Sequence, residues 1–362
     1  MAANTPITDD EKRAPSVFDV AREAGVSHTT VGLVLKGDPG GRVSLPTRDR
    51  VNEAVRKLSY RPNRLAKSLA RGRTFTVGMT LPFSNSNFHG EIVLGVQDAL
   101  RENNYRLIVV HTDDGNGASE EDLVEFFVQQ RVEALVCFRP NRTVIVPAWL
   151  QTLREVRIPA VMVDDSTYQD IVDCVISDDQ HAMDMAIDHL VGLGHRRIAL
   201  LKLEYSTTPA RDRLTGYHHA LKQHGLEYAL SIETQPQWTD EMVAERLLPL
   251  LRSPDAPTAL VCMNDYQLKD LLTNKEDYGV KIPDDISIIG YGNTELSCLA
   301  KLTTVEQYPR NMGRIAGERI LAKIQNPSTP CETLIAPTGL VIRRSTRSIQ
   351  AERQGLRQGE IL

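Results

Sequence analysis

Between Arg13 and Arg73 this 362-residue chain carries thirteen lysines and arginines against five aspartates and glutamates, a local net charge of about +8. The whole chain stands at −5, so the remainder holds about −13. Cationic side chains at that density neutralise phosphates, and the rest reads as an ordinary soluble acidic body. Other chemistry has no foothold. There is no P-loop, GxSxG or HExxH pattern, so no enzyme, catalytic residue or cofactor is expected. Cys137, Cys174, Cys262, Cys298 and Cys331 include no CxxC pair, which argues against a zinc site or a disulfide framework and suits a reducing cytoplasm. The first thirteen residues have no apolar run that would make a signal peptide, and no stretch reaches the length of a membrane span.

The elements that must position those cations are short helices. Ser16 followed by Asp19 is an N-cap pattern, and Val17, Val20, Ala21 and Ala24 form one apolar face at helical spacing. Gly25 supplies the left-handed residue that ends this helix. Ser27 caps a second helix, whose Val31, Val34 and Leu35 point back at the first. Two helices joined by so short a turn make a helix-turn-helix, whose second helix can enter the major groove of DNA. A glycine-rich loop, Lys36 to Arg42, leads to Ser44 and a third helix expected from about Pro46 to Leu58. Asn63 caps one more run ending at Gly72, too short and too basic to be a stable helix alone.

Beyond residue 74 the pattern changes to strand–helix alternation. Apolar β-rich runs at Phe75–Leu81, Arg106–Val110, Ala134–Phe138 and Ala160–Val163 alternate with helical patterns at Glu91–Glu102, Glu120–Gln130 and Pro147–Val156. A second series places strands at Arg197–Leu201, Ala259–Cys262 and Ile286–Ile289, with helices near Ala182–Val191, Arg211–His224 and Glu241–Leu251. Such alternation implies parallel sheets with right-handed crossovers, here in two lobes, with a ligand crevice where strand ends face each other.

Several blocks are specific enough to carry a resemblance. They are Asp-Val-Ala-x-x-Ala-Gly-Val-Ser-x-x-Thr-Val at Asp19 to Val31, Thr-Arg-x-Arg-Val at Thr47 to Val51, Leu-x-Tyr-x-Pro-Asn at Leu58 to Asn63, and Ala-x-Ser-Leu at Ala66 to Leu69. Further along come Asp188 to Ile198, Pro283 to Tyr291 and Leu302 to Gln307. In this order the blocks resemble the lactose-repressor/galactose-repressor family of bacterial transcription regulators along nearly the whole chain.

The resemblance implies a small all-α helix-turn-helix DNA-binding domain and hinge helix, joined to a two-lobed α/β periplasmic-binding-protein-like effector domain with parallel sheets. The implied parts are a tail at 1–13, the helix-turn-helix at 14–62, a hinge at 63–73, the effector and dimerisation domain at 74–345 and a tail at 346–362. Lobe one would take 74–176 and 308–336, and lobe two 177–305 and 338–345, with Gln307 at the crossing. Ser27, His28, Thr29, Thr30 and Leu33 fall where the family reads DNA. So do Asn63, Arg64, Ala66, Lys67 and Leu69 of the hinge, with Leu69 as a wedge in the minor groove. Arg71 and Arg73 are placed for phosphates. Asn85, Phe88, His89, Asp164, Arg213, Trp238, Asn264, Asp265, Asn293 and Gln307 match effector contacts, and His189 and His195 lie in a block used structurally.

Two departures bear on this. Gly32 and Leu33 stand where relatives carry Ser-Arg, so an arginine that could grip guanine is missing and a leucine could meet a thymine methyl. Gly292 and Asn293 stand where relatives commonly place an aspartate that holds ligand hydroxyls, which leaves open a larger, acidic or phosphorylated ligand with Arg213 as an anchor. Arg211 and Arg213 are two apart on one helix, so only one faces the crevice. The implied protein is a homodimeric repressor on a palindromic operator, cytoplasmic and nucleoid-associated, released by a sugar or sugar derivative. A corepressor-dependent regulator uses the same parts with opposite sign, and a transporter's solute-binding protein shares the two-lobed fold. The C-terminal tail has no leucine heptads, so a dimer is expected.

Overall fold

The computed structural model describes residues 15–38, 40–61, 72–82, 87–112, 120–138, 148–203, 207–227, 230–234 and 240–349. Asn63, Arg64, Ala66, Lys67, Leu69, Asn85 and Trp238 lie outside the described residues. The chain divides into two compact units, Met1–Thr74 and Phe75–Leu362.

In the first unit, α1 (Val17–Ala24) begins at a reciprocal cap. The Asp19 amide donates to Ser16 Oγ at 3.3 Å, and the Ser16 amide donates to Asp19 Oδ2 at 2.8 Å. Gly25 ends the helix at φ 62. Ser27 Oγ accepts from the Thr30 amide at 3.1 Å and caps α2 (His28–Leu35). α3 (Leu45–Lys57) starts one residue before Pro46, and the Ser44 hydroxyl donates to Thr47 Oγ1 at 3.0 Å instead of capping the backbone. Val20, Ala21, Ala24, Val31, Val34, Val51 and Ala54 form the core, at the helical spacing read from the sequence.

The glycine-rich loop between α2 and α3 is organised by Asp38. Its nearly sealed carboxylate accepts from the amides of Arg42 (3.0 Å) and Val43 (2.8 Å) and from the Arg48 guanidinium (3.2 Å). The Val43 bond leads in holding this carboxyl below its ordinary pKa. An extended polar loop is thus tied to the helix it precedes.

The second unit opens with β1 (Thr76–Leu81), α4 (Asn87–Glu102), β2 (Arg106–His111), α5 (Glu120–Gln129), β3 (Ala134–Phe138), α6 (Ala148–Glu155), β4 (Ala160–Val163) and β5 (Asp173–Ser177). The chain then builds a second lobe from α7 (Asp179–Gly192), β6 (Ile198–Leu203), α8 (Thr208–Gln223) and β7 (Leu230–Thr234). Next comes α9, made of Asp240–Met242, a π turn at Val243–Leu247 and Leu248–Leu251. β8 (Ala259–Cys262), a 3₁₀ turn at Asp265–Leu268, α10 (Lys269–Asn274), β9 (Ser287–Tyr291), α11 (Glu295–Leu299) and β10 (Thr303–Glu306) complete it. α12 (Pro309–Gln325) and β11 (Thr333–Ala336) return to the first lobe, and β12 (Gly339–Val341) closes on the second.

The first sheet runs β11-β5-β4-β3-β1-β2 with every pair parallel. The second runs β12-β10-β9-β8-β6-β7. There the expectation of parallel strands fails at one edge: β12 is antiparallel to β10, because it arrives straight from β11 with no crossover helix to reverse it. The sequence predicts one continuous helix near Glu241–Leu251 for α9, and the structure differs. Pro249 has no amide hydrogen for the Glu245 carbonyl, and the helix widens so that the Leu248 amide reaches back to Val243 O.

Two glycine-mediated approaches matter for packing. α4 and α12 cross so closely that a Cβ on Gly95 would lie 2.0 Å from Arg310 O, and one on Gly313 would lie 2.1 Å from Ile92 O. Met312, Ala316 and Ile320 of α12 then share one core with Val77, Ile92, Val96 and Val136. In the second lobe, a Cβ on Gly290 would lie 2.1 Å from Asp265 Oδ1. Where the lobes exchange chain, Gln307 Nε2 donates to Ser177 Oγ at 2.9 Å, and the Asp178 amide donates to Ala336 O at 3.0 Å.

Candidate functional site

Strand order reverses between β1 and β3 in one lobe and between β6 and β8 in the other, and a crevice forms outside the strand ends at such points. From the first lobe, α4 brings Phe88 and His89, and the turn after β4 brings Asp164. His89 makes T-shaped contacts with Phe88 (5.4 Å between centroids) and Phe138 (5.1 Å). Its buried Nδ1 has no hydrogen-bond partner among the described residues, and burial pulls its pKa down to about 4, so the ring is neutral. Asp164 is held in the left-handed region at φ 59, its amide donating to Val175 O at 2.9 Å. Its buried Oδ1 also has no partner among the described residues. Burial, only partly offset by Arg213, pushes its pKa up to about 7.

From the second lobe comes a hydrogen-bonded cluster. Arg213 of α8 donates from Nε to Asp179 Oδ1 (3.1 Å) and from Nη1 to Met263 O (2.6 Å). Its guanidinium carbon lies 3.8 Å from the Tyr291 ring centroid, and the Tyr291 hydroxyl donates to the same Asp179 oxygen. The Arg213 and Asp179 side chains are 8% and 4% exposed. Burial works against the Arg213 charge, but Asp179, Tyr291 and Asp164 outweigh it and raise its pKa. Arg211, the alternative two residues away, pairs on the surface with Asp212 at 3.2 Å.

The remaining expected contacts divide. Asn293 lines a cavity of about 580 Å³ together with Phe88, Tyr308, Arg310 and Glu306, so that cavity spans both lobes. Asn293 itself is engaged, donating to Glu306 Oε2 and accepting from Arg343 at 2.6 Å. Asn264 Oδ1 caps the 3₁₀ turn, accepting from the Tyr266 amide at 2.8 Å. Asp265, expected to hold the effector, is instead fully buried and internal. It accepts from the Thr294 amide (2.8 Å), Thr294 Oγ1 (3.0 Å) and Thr304 Oγ1 (2.8 Å), tying the loop after β9 to β10. Gln307 is likewise buried at the crossing. His195 and His189 are structural: His195 bonds Thr258 Oγ1 (2.9 Å) and Arg347 O (3.1 Å), and His189 bonds Thr346 Oγ1 (3.0 Å).

Sequence reading missed Asp179 and Tyr291, whose partners lie far along the chain and leave no local pattern. In the first unit it missed Phe18. Ser27 and Thr30 are bonded to each other, while His28 and Thr29 stand exposed at the start of α2. The His28 ring rests 5.2 Å from that of Phe18, which is 60% exposed on α1. A signal existed: Phe18 is a large apolar residue off the core stripe of its helix. Leu33, which could meet a thymine methyl, is half-buried with part of its side chain packed against the core. A Cβ on Gly32 would meet nothing within 4 Å, so no packing demands glycine there.

Residues 16–63 match the model of bacterial regulatory proteins of the lacI family, and residues 187–346 match that of the periplasmic binding protein-like domain. The chain is 29% identical to catabolite control protein A of Priestia megaterium over 337 residues, covering 92% of this chain and 99% of the relative. It is 30% identical to the ribose operon repressor of Escherichia coli (strain K12) over 317 residues, covering 86% and 93%. The crystal structure of the lac repressor dimer bound to operator and the anti-inducer ONPF superposes with a TM-score of 0.76 at 26% identity, covering 93% of this chain and 100% of that one. Matched over nearly its whole length and in the same order of parts, the chain belongs to the lacI family of bacterial regulatory proteins.

Proposed function

We propose that this protein is a ligand-responsive transcriptional repressor, binding a palindromic operator as a homodimer and releasing it when a small sugar-type effector fills the crevice. One observation carries the reading. A single chain couples a helix-turn-helix, with the polar start of its second helix exposed, to a two-lobed body in which His89 and Asp164 keep buried polar atoms without partners among the described residues. His28 and Thr29 are the base readers in this proposal, supported by Phe18, and the hinge with Leu69 as its wedge belongs to the same reading. Two-fold symmetry then demands two half-sites. Work of this kind is done on DNA in the bacterial cytoplasm.

The physical logic is linkage. An effector that binds the closed crevice more tightly than the open one shifts the population, and DNA must weaken effector binding by the same factor. Selection of bound sequences from randomised duplexes by the purified full-length protein tests this. A recovered palindrome whose binding one sugar weakens supports the repressor. A sugar that strengthens binding makes it corepressor-dependent. Recovery of no common sequence would sink the proposal.

A further inference from the structure

We infer that Asp38, an acid inside a module that meets a polyanion, is a positioning residue for DNA binding. It holds the loop between α2 and α3 in the one shape that presents Arg42 to a backbone phosphate. The inference rests on the reading of the first unit as the DNA-binding part and names a device within it.

The loop needs a fastening. Gly37, Asp38 and Gly41 all stand at positive φ, at 81, 44 and 60. Glycine takes that region freely, and aspartate tolerates it because its short side chain bonds to nearby backbone. Glycines also lose much freedom on ordering, so a loop of this composition keeps one shape only if something holds it. Backbone bonds secure the α2 side: the Gly37 amide donates to Val34 O at 3.0 Å, and the Asp38 amide donates to Leu33 O at 2.9 Å. The Asp38 carboxylate secures the other side. It accepts from the amides of Arg42 and Val43 and from the guanidinium of Arg48 on α3, so both helices grip the loop.

What the loop turns outward is the second observation. Asp38 and Val43 are buried, whereas Lys36, Gly40, Gly41 and Arg42 are exposed. The Asp38 side chain is only 1% exposed, so its charge faces inward onto three donors. Among the described residues no acceptor meets the Arg42 guanidinium. Its side chain lies across Gly40, where a Cβ would stand 3.1 Å from Arg42 Nε and 3.5 Å from Arg42 Cγ. The acid is thus the fastening, and a cation is what the fastened loop displays. A guanidinium carried on a fixed loop loses less freedom when it meets a phosphate.

Simple electrostatics gives the opposite sign. A carboxylate in a segment of net charge about +8 repels DNA, so its removal alone tightens binding. The positioning role makes its removal weaken binding.

The test uses the purified full-length protein and a short duplex of random sequence, titrated by fluorescence anisotropy at several salt concentrations. Phosphate contacts carry no sequence information, so the operator need not be known. Asp38→Asn should bind ~5–10-fold more weakly per subunit near ~0.1 M salt, with the slope of log affinity against log salt reduced by ~1 per subunit. Arg42→Ala should show the same loss, and Asp38→Asn should add nothing to it. A general loss of stability would instead weaken both backgrounds alike. Gly41→Ala strains the loop at φ 60 without changing any charge, and decides the matter if Asp38→Asn does not fold. It should weaken binding in the parent and not in the Arg42→Ala background. Binding by Asp38→Asn that equals or exceeds the parent's overturns the inference, as do losses that simply add to that of Arg42→Ala. A parent protein whose binding does not fall with salt overturns the DNA-binding reading beneath it instead.

Discussion

Asp179, Arg213 and Tyr291 on the second lobe bond to one another, whereas Asp164 and His89 on the first lobe each keep a buried polar atom with no partner among the described residues. The two lobes thus present one wall largely tied to itself and one that is not. A saturated wall is a frame: its groups hold each other and the backbone around them, and a ligand gains little by displacing them. An unsaturated wall is poised, since whatever supplies the missing donors gains what the empty protein lacks. Asp265 extends the frame, fastening the loop after β9 to β10 from inside.

If the second wall is a frame, breaking it should cost stability before it costs binding. Asp179→Ala should show the largest effect, destabilising the protein by roughly 3–5 kcal/mol in urea unfolding, because it strands a buried guanidinium. Asp265→Ala should follow at roughly 2–3 kcal/mol, since three donors lose their acceptor. A loss under 1 kcal/mol in either would dissolve the distinction between the walls.

The first wall should behave the other way. The folded pKa of Asp164, about 7, lies above its unfolded value. The stability it contributes is therefore fully present below about pH 4 and lost as pH rises through 7. Asp164→Asn should accordingly be more stable than the parent by roughly 1–2 kcal/mol at pH 8, with the difference shrinking as pH falls and vanishing below about pH 4. Melting curves across that range check it, and a variant less stable at pH 8 would count against an unmet charge. His89 works in the opposite window. Its folded pKa of about 4 lies below the ordinary 6.5, so its contribution is present above 6.5 and lost as pH falls towards 4. His89→Gln should flatten the acid side of the melting profile by a smaller amount. Outside both walls, Gly32→Ala should stabilise α2 by about 1 kcal/mol, read as slower amide exchange in the first unit only.

What the sequence made legible follows from how local each cause is. β3, β4 and β8 have the bounds expected of them, because short apolar runs between turn signals are self-contained evidence. β5 was passed over because it opens on Asp173, an unlikely strand residue until Arg319 and Lys323 arrive on α12 to neutralise it at 2.6 and 2.9 Å. Site residues divide in the same way. Arg213 and Asp164 were nameable from the family pattern. That one is spent and the other unspent depends on Asp179, Tyr291 and Val175, which no window around either residue contains. Asp265 carried a recognisable type, but its direction was set by Thr294 and Thr304, some thirty and forty residues away. Residue type was readable, and orientation was not.

The crossing of α4 and α12 also constrains the order in which the protein is made. The glycines that let those helices touch lie on segments separated by the whole of the second lobe, and the core of the first lobe is incomplete without Met312, Ala316 and Ile320. A chain emerging from the ribosome therefore presents β1 to β5 long before the helix that covers them exists. During that interval an apolar face is open to solvent, and the second lobe, whose helices and all but one edge strand arrive together, can close first. The half of the molecule translated earliest is thus the half that matures last, and its exposure to chaperones and proteases lasts as long as translation takes to reach residue 325.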